Sequence, residues 1–142
     1  MANNRVSVYV AGKWGHKPAI QTVQNELRKR GYLITHDWTK VEEADKKSPN
    51  ECAKFAELDI DAVRRADNVL IVLTDPKYPY RGTCAELGAA LATKTPVYII
   101  VQCQIVPDFM KSIFAMHELV TVVKDVNQYI MYTTVLKEPN TI

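Results

Sequence analysis

Residues 68–102, NVLIVLTDPKYPYRGTCAELGAALATKTPVYIIVQ, decide the fold. Two apolar runs, NVLIVLT and PVYIIVQ, lack the polar alternation of a half-exposed strand and read as strands buried on both faces. Between them, residues 83–94 carry a helical pattern. A strand, a helix and a second buried strand imply a parallel pair joined by a helical crossover.

The same alternation extends outward. RVSVYVA, residues 5–11, is rich in β-branched residues and ends at Gly12, a strand followed by a turn. Ala19, Ile20, Val23 and Leu27 recur at helical spacing from Pro18 to Arg30, with Gly31 just past the end. YLITHDW then reads as a second strand, TKVEEADKKSPNE as a charged surface loop, and residues 51–67 as a second helix. Downstream, ELVTVV reads as a short edge strand, and Asp125 is placed to cap a closing helix, DVNQYIMYTTVLK. This order predicts an α/β fold with a doubly wound, mostly parallel five-stranded sheet in three layers, one domain over residues 1–142.

Composition narrows the function. With 142 residues, 47% of them hydrophobic, the chain can bury one ordinary core. Its 18 Lys and Arg against 16 Asp and Glu leave a charge of +2, too balanced to imply a nucleic-acid polymer or a membrane surface as partner. No apolar run approaches the roughly 20 residues of a membrane span, and MANNRVSVYVAG does not read as a signal peptide, so a cytoplasmic protein is expected. Cys52, Cys84 and Cys103 lack metal-ligand spacing and read as reduced thiols.

Doubly wound sheets bind ligands beyond the carboxyl ends of their strands, where strand order reverses. That rule selects GKWGHK, HDWT, TDPKYPYRGT and QCQIVPDF, and Glu86 lies just beyond the third. Glu86 has two readings. With Thr83 as N-cap, TCAE fits a capping box. Alternatively, a carboxylate kept ionised at a helix start is a nucleophile, approached closely past Gly82, Ala85 and Gly88. Asp59 shares a helical face with Phe55, Ala62, Val63 and Ala66, so it is either the wet edge of that stripe or a carboxyl with a raised pKa. Two such carboxylates flanking one strand suit retaining glycoside chemistry, in which they stand about 5 Å apart. Trp38 is a base-stacking aromatic or a core residue. His36 and Asp37, adjacent on a strand, point to opposite faces and make no dyad.

VYVAGKW, GYLITHDWT and the run from Ala56 to Val101, with its Asp-x7-Asp (Asp59, Asp67), apolar strand and Gly-x3-Glu-Leu-Gly (Gly82 to Gly88), resemble the nucleoside 2-deoxyribosyltransferase-like superfamily over roughly residues 5–103. The superfamily holds base-exchanging transferases and nucleoside 5′-monophosphate N-glycosidases on a flavodoxin-like sheet. The resemblance implies that Glu86 attacks C1′ of the sugar, that Asp59 contacts the substrate and protonates the departing base, and that Tyr9 orients the nucleophile. It implies a ligand site lined by the backbone of Ala11 and Gly12. Lys13, His16 or Lys17, with amides near Thr83, either hold a phosphate or form a solvated loop, and Arg81 beside Gly82 has the same two readings. Trp14, Trp38 and KYPYRG then set base and sugar preference. No cofactor is implied, and the substrate is a small nucleoside or nucleotide.

The chain departs from the transferases at YPYR, where they carry a further Asp, and at its EPNTI end, where they carry a Tyr; hydrolysis is therefore preferred over transfer. From the N-glycosidases it departs after Gly12, where they carry Ser and Arg. The resemblance also implies a homodimer or larger homo-oligomer, with His117 in a region that reaches a neighbouring site. Met110, Ile113, Phe114 and Leu119 pack either in such an interface or in the monomer core. Two rival classes remain: a nucleotide-binding module without turnover, and a flavin or receiver domain with Asp75 as phosphoacceptor.

Overall fold

The computed structural model describes residues 5–42, 45 and 48–137. The expected charged loop falls partly outside these residues, at 43, 44, 46 and 47, and EPNTI lies wholly outside them. The chain forms β1 (Ser7–Ala11), α1 (Lys17–Lys29), β2 (Leu33–Ile34), α2 (Pro49–Arg65), β3 (Asn68–Leu73), α3 (Arg81–Ala92), β4 (Val97–Val101), β5 (Val120–Val123) and α4 (Val126–Lys137). The five strands form one sheet in the order β2-β1-β3-β4-β5, and every pairing is parallel.

Helices α1 and α4 neighbour each other, as do α2 and α3, which makes the three layers. The core is the sheet itself: Val8, Val10, Val69, Leu70, Ile71 and Ile99 are fully buried. Each such side chain stabilises the fold by roughly 1.5–3 kcal/mol. Gly31 ends α1 at φ 85°, a left-handed conformation that Gly adopts at little cost. Asp125 Oδ1 accepts a 2.9 Å bond from Gln128 N and caps α4.

Two expectations need correction. The second strand spans only Leu33–Ile34, because after Thr35 the chain turns into a 3₁₀ turn at Trp38–Lys40 whose cap is the Asp37 carboxylate. Helix α3 begins at Arg81, so Thr83 lies inside it and does not cap it. The three cysteines are free thiols, as expected. Of the four residues with two readings, Met110 and Leu119 are half-buried, Met110 against the core, whereas Ile113 and Phe114 are exposed, as is neighbouring Met116.

Candidate active site

The chain runs from β1 outward to β2 and then crosses back to place β3 on the other side of β1. Strand order therefore reverses between β1 and β3, and a cavity of about 190 Å³ opens in that region. Its wall is Tyr9, Gly12, Trp14, Trp38, Val41, Phe55, Asp59, Tyr78, Tyr80, Gly82, Thr83 and Glu86. Gly12 is needed for a close approach: a Cβ there meets Ile20 Cδ1 at 2.3 Å and the Val72 carbonyl oxygen at 3.2 Å. Ile20 is fully buried and has little room to give way.

One strand and two helices bring the three side chains together. Tyr9 on β1 points toward the α2 and α3 layer, and its hydroxyl donates a 2.6 Å bond to Glu86 Oε2 on α3. Asp59 on α2 acts on the same hydroxyl by charge and hydrogen bonding. Burial, and then the charges of Glu86 and Asp59, push the Tyr9 phenol far above its ordinary value, so it remains a donor. Glu86 is pushed up to about 8: burial dominates, the Tyr9 bond opposes it, and the Asp59 charge adds to it. This reverses the expectation that a helix start keeps Glu86 ionised. Glu86 is the sixth residue of α3, beyond the first turn where the helix dipole acts, and it is buried. Its carboxylate is bonded to Tyr9 and not to a capping residue, so the capping box is not formed.

His36 Nε2 stands 3.7 Å from Asp59 Oδ1, long for a hydrogen bond but within ion-pair range. Sequence reasoning rejected His36 with Asp37 and missed this partner, because residues 36 and 59 meet only through the packing of α2. Asp37 instead bonds Thr39 and Arg28; these bonds outweigh its burial and hold it below the usual carboxylate range.

The aromatic walls are built as tightly. Trp38 is both cavity wall and core residue, since it lines the cavity, is buried, and donates from Nε1 to the Val10 carbonyl at 2.7 Å. Trp14 stacks near it, with ring centroids 6.0 Å apart and planes 24° from parallel. Tyr80, which sequence reasoning also missed, caps α3 at φ 53°, ψ 46°. That left-handed geometry is uncommon for a non-glycine residue. It is held by two bonds to the Tyr80 hydroxyl, from Thr74 N at 2.9 Å and Asp75 N at 3.0 Å, and by edge-on packing with Tyr78 and Phe109. The result aims the first turns of α3 at the cavity.

Not every expected residue reaches the wall. Ala11 is buried in the sheet, and Arg81 is exposed at the start of α3. Lys13 forms a 2.7 Å ion pair with Asp75 and sits 4.7 Å over the Tyr78 ring. Lys17 donates to the Val41 carbonyl and covers the Trp14 ring at 3.8 Å, and His16 Nδ1 is 2.6 Å from Thr74 Oγ1. All three basic side chains of GKWGHK thus have protein partners. His117 Nδ1 accepts a bond from Leu119 N.

Among the described residues, no group of three or more His, Cys, Asp or Glu is placed to hold a metal ion, and no helix is long and apolar enough to cross a membrane.

Comparison with known proteins follows the same lines. The chain aligns over 95% of its length with the 2-deoxyribosyltransferase of the psychrotolerant bacterium Bacillus psychrosaccharolyticus, over 93% of that chain, at 16% identity and a TM-score of 0.63. It aligns over 91% of its length with the CMP N-glycosidase BcmB of Clostridium botulinum, over 98% of that chain, at 18% identity and a TM-score of 0.53. At these identities the likeness shows the shared flavodoxin-like fold. No curated protein matches by sequence. The family model described as nucleoside 2-deoxyribosyltransferase matches residues 8–116, which include Tyr9, Asp59 and Glu86, and the chain belongs to that family.

Proposed function

We propose that the protein cleaves the N-glycosidic bond of a nucleoside or nucleoside 5′-monophosphate through a covalent glycosyl-Glu86 intermediate, by hydrolysis in preference to transfer. The observation that carries this reading is one phenol, Tyr9, shared by two carboxylates at the wall of a cavity beside the switch point. Family membership supports an enzyme acting on nucleosides or nucleotides.

A Glu86 oxygen attacks C1′ as the C1′–N bond breaks. The bonding pair leaves with the base, whose nitrogen takes a proton from Asp59. Water then attacks C1′, loses its proton to Asp59, and frees Glu86. The first step needs Glu86 charged and Asp59 protonated, the second needs Asp59 charged while Glu86 is esterified, and two coupled acids in the free enzyme favour sharing a single proton. Tyr9 donates to the charged form of Glu86 and partly offsets its burial. His36 stands where it can orient Asp59. Trp14, Trp38 and Phe55 offer flat apolar surface to a base.

A homodimer belongs to the same proposal, supported by exposed Ile113, Phe114 and Met116; sedimentation velocity measures it directly.

The test is a panel of ribo- and deoxynucleosides and their 5′-monophosphates, with free base followed by chromatography. Free base without an added acceptor identifies a hydrolase, and a new nucleoside only with an acceptor base identifies a transferase. No product from any substrate, with folded protein, refutes the enzymatic reading.

A further inference from the structure

We propose that His36 is a positioning residue for the acid of the reaction: a neutral His36 lets Asp59 hold the proton that the leaving base needs, and a protonated one keeps Asp59 ionised and confines that proton to Glu86. This rests on the glycosidic reading above and deepens it.

The need arises from burial. Glu86 is the more deeply buried of the two acids, while the Asp59 side chain is 29% exposed. Desolvation therefore draws a single shared proton toward Glu86, where it blocks attack on C1′ and leaves the base without an acid. Base release needs the reverse distribution. Whatever meets the Asp59 carboxyl from outside the cavity decides whether that distribution can form.

His36 is that partner. Asp59 lines the cavity and His36 does not, but His36 Nε2 stands 3.7 Å from Asp59 Oδ1. The Nε2 atom is buried and has no hydrogen-bond partner among the described residues, while the side chain as a whole is 22% exposed and open to a proton from solvent. A neutral ring suits both states of Asp59: with its proton on Nδ1 it accepts from a protonated carboxyl, and with its proton on Nε2 it donates to a carboxylate. Imidazolium has donors only, so it suits the carboxylate alone and leaves the shared proton to Glu86. The gap exceeds a hydrogen bond by under about 1 Å, and such contacts are often long before substrate binds. Other charges near the ring are paired among themselves. On α2, Arg65 pairs with Asp61 and donates to the Thr35 carbonyl; beside His36, Asp37 pairs with Arg28 of α1. Tyr9 of β1 and Glu86 of α3 reach the ring only through Asp59, as members of the coupled acid pair.

The test is kcat/KM for the best nucleoside of the panel and for the 4-nitrophenyl glycoside of its sugar, whose phenolate leaves without a proton, in wild type, His36→Gln and His36→Lys. His36→Lys keeps its charge, so at about pH 8 the nucleoside should react at least about tenfold more slowly than with His36→Gln, while the nitrophenyl glycoside differs by less than about threefold. His36→Gln never charges and can accept or donate in the same place, so on going to about pH 5.5 it should lose at least about fivefold less nucleoside activity than wild type. Equal losses on both substrates in His36→Lys, no loss on either, or an acid limb that His36→Gln leaves unchanged each overturn the proposal and leave the glycosidic reading intact. A second readout needs no substrate. The chain has three histidines, so NMR can follow the His36 ring, and Asp59→Asn should move its titration to lower pH by at least about half a pH unit. An unmoved titration overturns the coupling. If the titration moves but no substrate releases base in any of the proteins, the glycosidic reading fails and the role given to His36 fails with it.

Discussion

Tyr9 and Tyr129 are both almost wholly buried, and both spend their hydroxyls on a side chain from a distant part of the chain. Tyr129 works at the amino edge of the sheet. Its hydroxyl donates to Asn68 Oδ1, Thr133 Oγ1 donates to its carbonyl at 2.9 Å, and Thr133 pairs with the Tyr32 hydroxyl. Every partner is neutral, and Tyr98 closes the cluster edge-on at 5.3 Å. Tyr9 reaches toward the carboxyl edge, where its partners are two carboxylates and its surroundings include a cavity. A satisfied neutral network specifies a core. A buried acid, Glu86, close to a second, partly exposed one, Asp59, is costly to the fold and gains its use only when a reacting group arrives between them.

The contrast is broken most severely by Glu86→Gln. Base release should fall at least about a thousandfold, because the amide cannot attack C1′. Stability should move the opposite way. A carboxyl whose pKa rises from 4.5 to about 8 on folding holds its proton more tightly in the folded chain, so wild-type stability falls as pH rises between those values. Gln removes that dependence. The unfolding free energy of Glu86→Gln should therefore match wild type near pH 5 and exceed it at pH 8 by on the order of a few kcal/mol, as urea denaturation at the two pH values will measure.

Asp59→Asn should lower base release by about 10²–10⁴-fold, with the largest loss on bases that leave poorly, as steady-state rates across a leaving-group series will reveal. Tyr9→Phe is milder in rate, at about 10–100-fold, but informative in pH. For wild type, kcat/KM should climb with pH toward about 8 as Glu86 ionises. Losing the Tyr9 bond, which lowers the Glu86 pKa, should shift that limb to higher pH. At the other edge, Tyr129→Phe leaves Asn68 short of a donor and should lower stability by about 1–3 kcal/mol in urea denaturation, with kcat unchanged. A large kcat loss in Tyr129→Phe would erase the distinction between the two clusters.

The sheet was legible because β1, β3 and β4 are unbroken apolar runs, and Gly31 and Asp125 mark helix ends by local chemistry. The second strand was over-read: YLITHDW has strand-like residues, but the Asp37 cap pulls the chain into a turn after Thr35. In the site, Tyr9, Asp59 and Glu86 carried signals of pattern and resemblance. Phe55 was visible only as a neighbour of Asp59. Tyr80 was hidden, because its left-handed backbone depends on bonds from Thr74 and Asp75 that no local pattern announces. TCAE misled for the same reason: Tyr80 caps α3 three residues before Thr83, which moves Glu86 out of the first turn and into the interior. The pairing of His36 with Asp59 spans two elements and is a product of packing alone.

The most direct measurement is a peptide map of the protein quenched in acid during turnover of a 2-deoxy-2-fluoro nucleoside, whose electron-poor sugar slows release of a glycosyl-enzyme. A glycosyl mass on the peptide that carries Glu86, absent in Glu86→Gln, is the expected result. Base release with no adduct, or with the sugar on another residue, contradicts Glu86 as the nucleophile.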